Sequence, residues 1–318
     1  MDGIEFRTLR DGERELLLDL LEAAFDEREL FARYLDADSL VGPKDSWIAL
    51  DGARLVAATQ IFDKSIRLRG QVASIGGIGS VATHPDYERR GIATELLRHA
   101  IRDMERRGHA LSLLFTGRIS FYERLDWVQI VRPTWTLTRT DPAQPVASRP
   151  FAEPDLERVE RIYEYYNLHA DSSVVRDRSY WRAQLGYAGN PDEDFRVVER
   201  AGKIAAYARR IDFFGIPRII EHGCAPDGRN ELARLLCEFA PDAGALLLHR
   251  TDDSALADAL RITGVSIQAT EWGDNMWRVI DRPRLLALAE LPSSVTDADL
   301  LHELVGGDSA VYWASDRF

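Results

Sequence analysis

The sequence predicts a mixed α/β (α+β) fold, in which two successive units each pack a mixed central sheet against flanking helices. Antiparallel hairpins come first, one of them with an Asp-Gly turn at residues 51–52. Residues 74–115 then follow the order strand, loop, helix, strand. A strand followed by Pro-Asp and a helix occurs at residues 85–86 and again at 226–227. A chain of 318 residues is long enough for two such units.

Hydrophobic periodicity assigns the elements of the first unit in order. Residues 4–9 predict a strand, and Leu16, Leu17, Leu20, Leu21 and Ala24 share one side of a helix over 13–25. Hairpins are predicted at 47–62 and 66–81. The apolar positions of residues 92–104 recur on one helical face, and Gly108 predicts a left-handed cap. Predicted next are a buried strand at 111–115, a helix from 121, and a closing strand at 135–137.

A proline-rich stretch at residues 141–150 predicts a linker, so we expect units at 1–140 and 151–290. The second unit contains a helix after Pro154, a hairpin over 195–211, and a strand and helix over 219–239. Strands at 246–248 and 277–280 are predicted to complete it. Residues 291–318 form a C-terminal segment, and its apolar Val311-Tyr312-Trp313 run predicts that it docks toward the first unit.

Composition excludes several classes of protein. No run of 18 apolar residues is present, and the first residues lack a signal-peptide pattern, so a cytoplasmic protein without a membrane span is predicted. The formal net charge of −12 disfavours nucleic acid and anionic membranes and suits a cationic substrate. Cys224 and Cys237 are too few for a metal framework, so two buried thiols and no metal are expected.

Residues 87–94 predict a phosphate-binding loop. Arg89, Arg90 and Gly91 come directly before a helix, whose free N–H groups and dipole attract a phosphate or pyrophosphate. A competing motif, Gly77-Ile78-Gly79-Ser80-Val81-Ala82, fits the dinucleotide pattern G-x-G-x-x-A. That pattern requires a helix directly after the glycines, but His84-Pro85 follow here, so we reject it.

These motifs resemble the coenzyme-binding core of the GNAT acetyltransferases. Residues 88–93, Glu-Arg-Arg-Gly-Ile-Ala, are similar to the family's R/Q-x-x-G-x-G/A, with Glu88 in place of Arg or Gln. Residues 121–127, Phe-Tyr-Glu-Arg-Leu-Asp-Trp, resemble F-Y-x-x-L-G-F, with Asp126 in place of Gly. Eight residues, 87–94, lie between Asp86 and Glu95, but three, 228–230, lie between Asp227 and Glu231. The second unit therefore resembles a degenerate repeat without the phosphate loop, which is expected to keep the fold and lose the coenzyme; the alternative is that strand, proline and helix recur by chance.

Two such units followed by a terminal aromatic residue resemble the Eis-type acetyltransferases. Those proteins have a sterol-carrier-like third domain, which residues 291–318 are too few to form.

The resemblance implies acetyl-CoA as co-substrate and a set of residues that bind it. Tyr122 matches the tyrosine that protonates the leaving thiolate, and the carboxylate of Phe318 is the candidate base. The alternatives are a packed core tyrosine and a frayed terminus. The expected coenzyme-binding residues are Val81, Ala82, Thr83, Arg89, Arg90, Gly91, Ile92, Ala93, Thr94, Gly117 and Arg118.

The acceptor is expected to be a primary amine, such as an aminoglycoside-like compound, a polyamine, a lysine or a small metabolite. Asp26, Glu27 and Trp272 are candidates to bind it, although the two acids also fit a solvated cluster and Trp272 a core position. Two other classes are open: a non-catalytic acyl-CoA sensor, favoured by Glu88 and Asp126, and an assembly protein. The oligomeric state is open as well, although Eis-type relatives assemble.

Overall fold

A computed structural model describes residues 3–37, 41–140, 147–187, 193–213, 215–242 and 244–318. It confirms the predicted fold class, because two mixed sheets are flanked by helices. Residues 141–146 of the predicted linker lie outside the described residues, and the rest of the linker contains a short strand. None of the described helices is long and apolar enough to cross a membrane.

The strands are numbered in chain order. They are β1 Ile4–Thr8, β2 Ser46–Asp51, β3 Arg54–Leu68, β4 Gln71–Thr83, β5 Leu111–Phe115, β6 Val128–Gln129, β7 Arg132–Arg139, β8 Ser148–Pro150, β9 Asp194–Arg200, β10 Lys203–Phe213, β11 Ile216–Cys224, β12 Leu246–Leu248, β13 Val265–Trp272 and β14 Asn275–Val279. The helices are α1 Arg14–Phe25, α2 Arg28–Ala37, α3 Ile92–Arg107, α4 Ile119–Glu123, α5 Leu156–Tyr166, α6 Arg178–Tyr187, α7 Arg229–Phe239, α8 Ser254–Ile262, α9 Arg282–Ala289 and α10 Asp297–Val305.

The two sheets repeat one another strand by strand. The first has the order β1-β2-β3-β4-β5-β14-β6, and the second, read from its other edge, has the order β8-β9-β10-β11-β12-β7-β13. Each sheet contains a parallel pair at the same place, β4 with β5 and β11 with β12. A helix, α3 or α7, connects each parallel pair, as a parallel crossover requires. The internal repeat predicted from the sequence therefore extends to the topology of the sheets.

Each sheet takes its sixth strand from the other half of the chain. The prediction that residues 135–137 close the first sheet is wrong, because β7 pairs with β12 and β13 in the second sheet. Likewise β14, predicted for the second unit, pairs with β5 and β6 in the first. A strand's apolar pattern indicates burial but not its partner. The predicted units, residues 1–140 and 151–290, therefore do not coincide with the two sheets. As a division along the chain, they remain a prediction.

Helix α3 covers the first sheet as its sequence predicts. Leu96, Leu97, Ala100 and Met104 are buried, and the helix ends at Gly108 in a left-handed cap with φ of 74°. The N–H of Gly108 donates to carbonyls of the last turn, which satisfies groups that a helix end leaves open. The two cysteines are free and buried, as expected.

The C-terminal segment docks on both halves of the molecule. The 311–313 run is buried, but it forms no strand with any of the described residues, unlike the strand-like element that its pattern predicts. The N–H of Val311 donates to the carbonyl of Asp171 over 2.7 Å, and Trp313 Nε1 donates to Asn167 Oδ1 over 2.9 Å. These bonds direct the last residues back to the first sheet.

Candidate active site

A cleft of about 790 Å³ opens between the ends of β4 and β5 and the start of α3. It brings together ten of the eleven predicted coenzyme-binding residues, and it also contains Tyr122 and Phe318. Its lining comprises Ala24, Phe25, Ile78, Gly79, Ser80, Val81, Ala82, Thr83, Tyr87, Glu88, Arg89, Gly91, Ile92, Ala93, Thr94, Phe115, Thr116, Gly117, Arg118, Phe121, Tyr122, Arg124 and Phe318.

The cleft exists because two parallel strands separate. The pairing of β4 with β5 ends at Ile78 and Leu114, while β4 continues to Thr83. A bulge follows in β4, where Ser80 and Val81 together lie opposite one residue of β3, and Ser80 adopts a positive φ of 51°. Such a bulge turns the strand and interrupts its ladder, which leaves backbone polar groups for a ligand.

The start of α3 forms one wall of the cleft. Gly91 caps the helix with φ of 80°, and a Cβ at that position would have no atom within 4 Å. Arg89, two residues before Gly91, also has a positive φ and is exposed. The first N–H groups of a helix have no partner within the helix and carry its positive dipole end. The wall is therefore open to an anionic group.

Arginines surround that opening, although the two predicted from the sequence behave differently. Arg89 lines the cleft, together with Arg118 and Arg124. Arg90, a predicted coenzyme ligand, does not: its Nη2 donates to the carbonyl of Asp86 over 2.6 Å, and its guanidinium lies 4.7 Å from the ring centre of Tyr87. Adjacent residues of a tight loop point in different directions, and sequence alone does not show which one faces the ligand.

Tyr122 is a nearly buried residue in the lining of the cleft. Its side chain is 8% exposed and makes edge contacts with Phe121 and Trp127, whose ring centres lie 4.9 and 6.1 Å away. Burial raises the pKa of Tyr122 to about 12, against a smaller opposing effect of the Arg118 charge. The phenol is therefore protonated at neutral pH, and it belongs to the lining of the cleft.

Phe318 enters the same cleft because of two glycines in β4. Its ring stacks on Phe62 at 5.0 Å and packs against Phe115 at 5.6 Å. A Cβ on Gly77 would lie 2.3 Å from that ring, and one on Gly79 would lie 3.4 Å from the carboxyl carbon of Phe318. The glycines that imitate a dinucleotide motif thus make room for the last residue of the sequence.

The predicted acceptor residues do not line the cleft. Asp26 forms the left-handed cap of α1 and is exposed, as is Glu27, although the preceding Ala24 and Phe25 do line the cleft. Trp272 lies beside a separate small cavity, with the guanidinium of Arg218 4.6 Å from its ring centre. The structure thus brings the acids to the rim and separates Trp272 from the site.

Sequence reasoning missed several lining residues. Arg124 belongs to the Phe-Tyr-Glu-Arg motif, so its spacing from Tyr122 was a signal that could have found it. Phe25 and Phe115 lie at the ends of predicted apolar elements and carry no such signal. No group of three or more His, Cys, Asp or Glu side chains in the described part of the chain could hold a metal ion.

In the second unit, the start of α7, which corresponds to the start of α3, is packed against a strand. Gly228 precedes α7 as Gly91 precedes α3, but a Cβ there would lie 2.1 Å from the carbonyl oxygen of Ala205. The shorter loop thus packs the helix start directly onto β10. This contrast supports the prediction that the second unit keeps the fold without a coenzyme site.

Comparisons with known proteins agree with this geometry. Residues 5–130 match the family model described as an acetyltransferase (GNAT) domain. No curated protein matches the chain.

Similar solved structures cover most of the chain at low identity. A GCN5-related N-acetyltransferase from Kribbella flavida is 17% identical, with TM-score 0.67, over 90% of this chain and 73% of that one. Eis1 from Mycobacterium abscessus is 17% identical, with TM-score 0.63, over 90% of this chain and 75% of that one. N-myristoyltransferase from Saccharomyces cerevisiae, solved with myristoyl-CoA, is 12% identical, with TM-score 0.55, over 88% of this chain and 79% of that one.

These likenesses establish the fold of the chain, and the family model identifies its first part. The match over residues 5–130 supports an acyltransferase domain in this part of the chain.

Proposed function

We propose that this protein transfers an acetyl group from acetyl-CoA to a primary amine by direct attack. The observation that carries the proposal is the single cleft that holds an open helix start, a protonated buried tyrosine and the last residue of the sequence. No metal is proposed for this chemistry.

The diphosphate of the coenzyme is proposed to bind at the start of α3. The free N–H groups after Gly91 would donate hydrogen bonds to its phosphate oxygens, and Arg89 and Arg118 would add charge-assisted hydrogen bonds. The pantetheine arm would then follow Val81 to Thr83, where the bulge exposes backbone polar groups. A backbone N–H there would polarise the thioester carbonyl.

The phenol of Tyr122 and the terminal carboxylate of Phe318 are proposed to transfer protons. The neutral amine nitrogen bonds to the carbonyl carbon, and the bond from that carbon to sulfur breaks. Tyr122 donates its phenolic proton to the departing thiolate, because a phenol in this cleft is still protonated at neutral pH. The Phe318 carboxylate accepts the first proton of the ammonium, directly or through one water, and this frees the amine for attack. After attack the nitrogen gives up its second proton, which restores the Tyr122 phenol through water.

The acceptor is proposed to enter from the rim formed by the end of α1. Phe25 lines the cleft there, and Asp26 and Glu27 follow it as exposed carboxylates. Carboxylates at a rim attract cations and contribute mainly to the rate of association. An amine is therefore favoured over a neutral or acidic acceptor. Trp272 is not included in this proposal.

A screen for acetyl-CoA-dependent release of free thiol over a panel of amines tests the proposal. We expect turnover with at least one amine, and a loss of roughly 100-fold or more in kcat for Tyr122→Phe with unchanged coenzyme affinity. Tyr165→Phe, at an exposed position of α5, is the matched control. Turnover that is the same in Tyr122→Phe removes this residue from the mechanism, and absence of coenzyme binding removes the whole proposal.

A second candidate function is a non-catalytic acyl-CoA sensor. Glu88 favours it, since this carboxylate lines the cleft beside Arg89, where a phosphate is expected. This function predicts binding of acetyl-CoA without thiol release for any amine. Glu88→Gln separates the two, because it should tighten coenzyme binding in both cases but raise turnover only in an enzyme.

A further inference from the structure

A second, smaller cavity lies where the two sheets exchange strands. Arg132, at the start of β7, is the direct partner of Trp272 at the end of β13. The chain enters β7 from β6 on one side and leaves β13 for β14 on the other, so both crossings between the sheets meet here. The cavity has a volume of about 30 Å³ and is also lined by His249, Asp274 and Arg317.

Most polar groups that line this cavity are hydrogen-bond donors. Arg132 is 8% exposed, and its buried Nε and Nη2 have no hydrogen-bond acceptor among the described residues. The same holds for Nε1 of Trp272 and Nε of Arg317. Buried donors are almost always paired in proteins, so four unpaired donor nitrogens at one cavity, on three side chains, indicate an acceptor that the described residues do not supply.

The electrostatic balance at the cavity is positive. Burial, with the charges of Arg218, Arg317 and Arg132, lowers the pKa of His249 to about 3, so this ring is neutral. Asp274 is the one carboxylate in the lining, and it already accepts from Arg317. Burial lowers the pKa of Arg132 to about 10, which leaves it charged at neutral pH without a carboxylate partner. A buried cation without a counter-charge is strongly unfavourable.

We propose that this cavity is a binding site for one small monovalent anion, a halide or a carboxylate group, held by Arg132, Trp272 and Arg317. A water molecule needs only about 10–15 Å³ of such volume, so the cavity has room for a single small ion and not for a sulfate. Water would accept from some of these donors but would not balance the charge of Arg132.

The bound anion would join three parts of the chain. Arg132 and Trp272 belong to paired strands of the second sheet, and Arg317 belongs to the C-terminal segment. The Arg317 guanidinium also lies 4.5 Å from the ring centre of Phe115, which lines the large cleft. The site is therefore structural, goes beyond the proposed acetyl transfer, and is testable without any activity.

Thermal unfolding at constant ionic strength tests the site in solution. Replacing gluconate with chloride, bromide or formate should raise Tm in a saturable way by about 2–4 °C, whereas sulfate should not. Arg132→Met should remove this response and be at least as stable as wild type in gluconate, because it removes the uncompensated charge. Exposed Arg158→Met should respond as wild type does. An increase in Tm with formate but not with the halides, or the reverse, would identify which of the two kinds of anion the site binds.

The opposite results overturn the proposal. If Arg132→Met lowers Tm equally in every salt, the guanidinium is a packing element only. If that variant does not fold, Trp272→Phe provides the second test, because the loss of one donor should weaken the bromide response several-fold. Crystals soaked in bromide should give an anomalous peak beside Arg132 and Trp272. Peaks at the surface only, with water in the cavity, would also contradict the site.

Discussion

At the scale of single residues, glycine in β4 determines what reaches the cleft. A Cβ on Gly76 would lie 2.3 Å from the sulfur of Met104, and one on Gly77 the same distance from the ring of Phe318. Glycine inside a strand weakens it and is kept where another group must approach the backbone closely. Gly76 therefore leaves room for Met104 of α3 on one face of the sheet, and Gly77 leaves room for Phe318 on the other.

Gly77→Ala should displace the Phe318 ring. The added methyl has no space, so we expect a loss of about 1–3 kcal/mol in the free energy of unfolding, measured by urea denaturation. Gly307→Ala is the control, because a Cβ there meets nothing within 4 Å. In a Phe318→Ala background the cost of Gly77→Ala should disappear. An equal cost in both backgrounds would show that the ring does not occupy this position.

The pKa of Tyr122 sets an expected pH dependence. Burial raises this pKa to about 12, so the phenol keeps its proton at neutral and mildly alkaline pH. The stability linked to this shift is complete below the pKa of about 10 that the phenol has in the unfolded chain, and it is lost as the pH rises toward about 12. We therefore expect kcat to show no falling limb from this residue between about pH 7 and about pH 10. The measurement is kcat against pH, with phenolate absorbance compared between wild type and Tyr122→Phe. A falling limb near pH 9 that follows phenolate formation at Tyr122 would contradict this.

At the scale of elements, the loop before α3 differs from its counterpart before α7. The longer loop leaves the helix start at Gly91 open, whereas the shorter one presses Gly228 against β10. The same crossover thus forms an anion-binding wall in one unit and a packed joint in the other.

Adjacent arginines of the longer loop should have different effects on coenzyme binding. Arg89→Gln should weaken acetyl-CoA binding by about tenfold, since it removes one charge-assisted contact at the cleft. Arg90→Gln should change the affinity little, because its guanidinium is bound to the Asp86 carbonyl and stacks on Tyr87. Calorimetric titration at two salt concentrations measures both. Equal losses in the two variants would mean that the loop rearranges on binding.

At the scale of the whole molecule, the second unit holds the C-terminal segment in place. Arg176 donates to Asp316 over 2.9 and 2.7 Å and to Glu221 over 2.6 Å, and all three side chains are buried. Burial alone would raise the pKa of Glu221, but the charges of Arg176 and Arg209 lower it to about 2. Gln184 binds the carbonyl of Ser315. This network fixes the chain two residues before Phe318.

Asp316→Asn should release that anchor. The substitution removes one of the two carboxylates that Arg176 binds, while Glu221 keeps the guanidinium paired, so the loss is that of buried charge-assisted hydrogen bonds, about 1–3 kcal/mol in the free energy of unfolding. We expect lower stability and, at temperatures where the variant is folded, lower kcat, since Phe318 is no longer held in the cleft. Asp308→Asn, at an exposed position of the same segment, should change neither. Reduced stability with full kcat would separate the anchor from the mechanism.

The sequence by itself determined the elements and the main wall of the cleft. Helix α3, its cap at Gly108, the parallel strands on either side of it and the loop at Gly91 follow from local patterns, because spacing and turn residues act over a few positions. The motif around Tyr122 was recognisable for the same reason.

Only the tertiary structure decided how the two halves are joined. Strand exchange of β7 and β14, the closed helix start at Gly228 and the seat of Phe318 between Gly77 and Phe62 all depend on contacts between distant residues. Arg176 and Asp316 are 140 positions apart, so no local pattern indicates their pairing. Pairing over such distances depends on which buried surfaces and charges fit together in the folded chain, and this is why the anchor of the C-terminal segment could not be predicted.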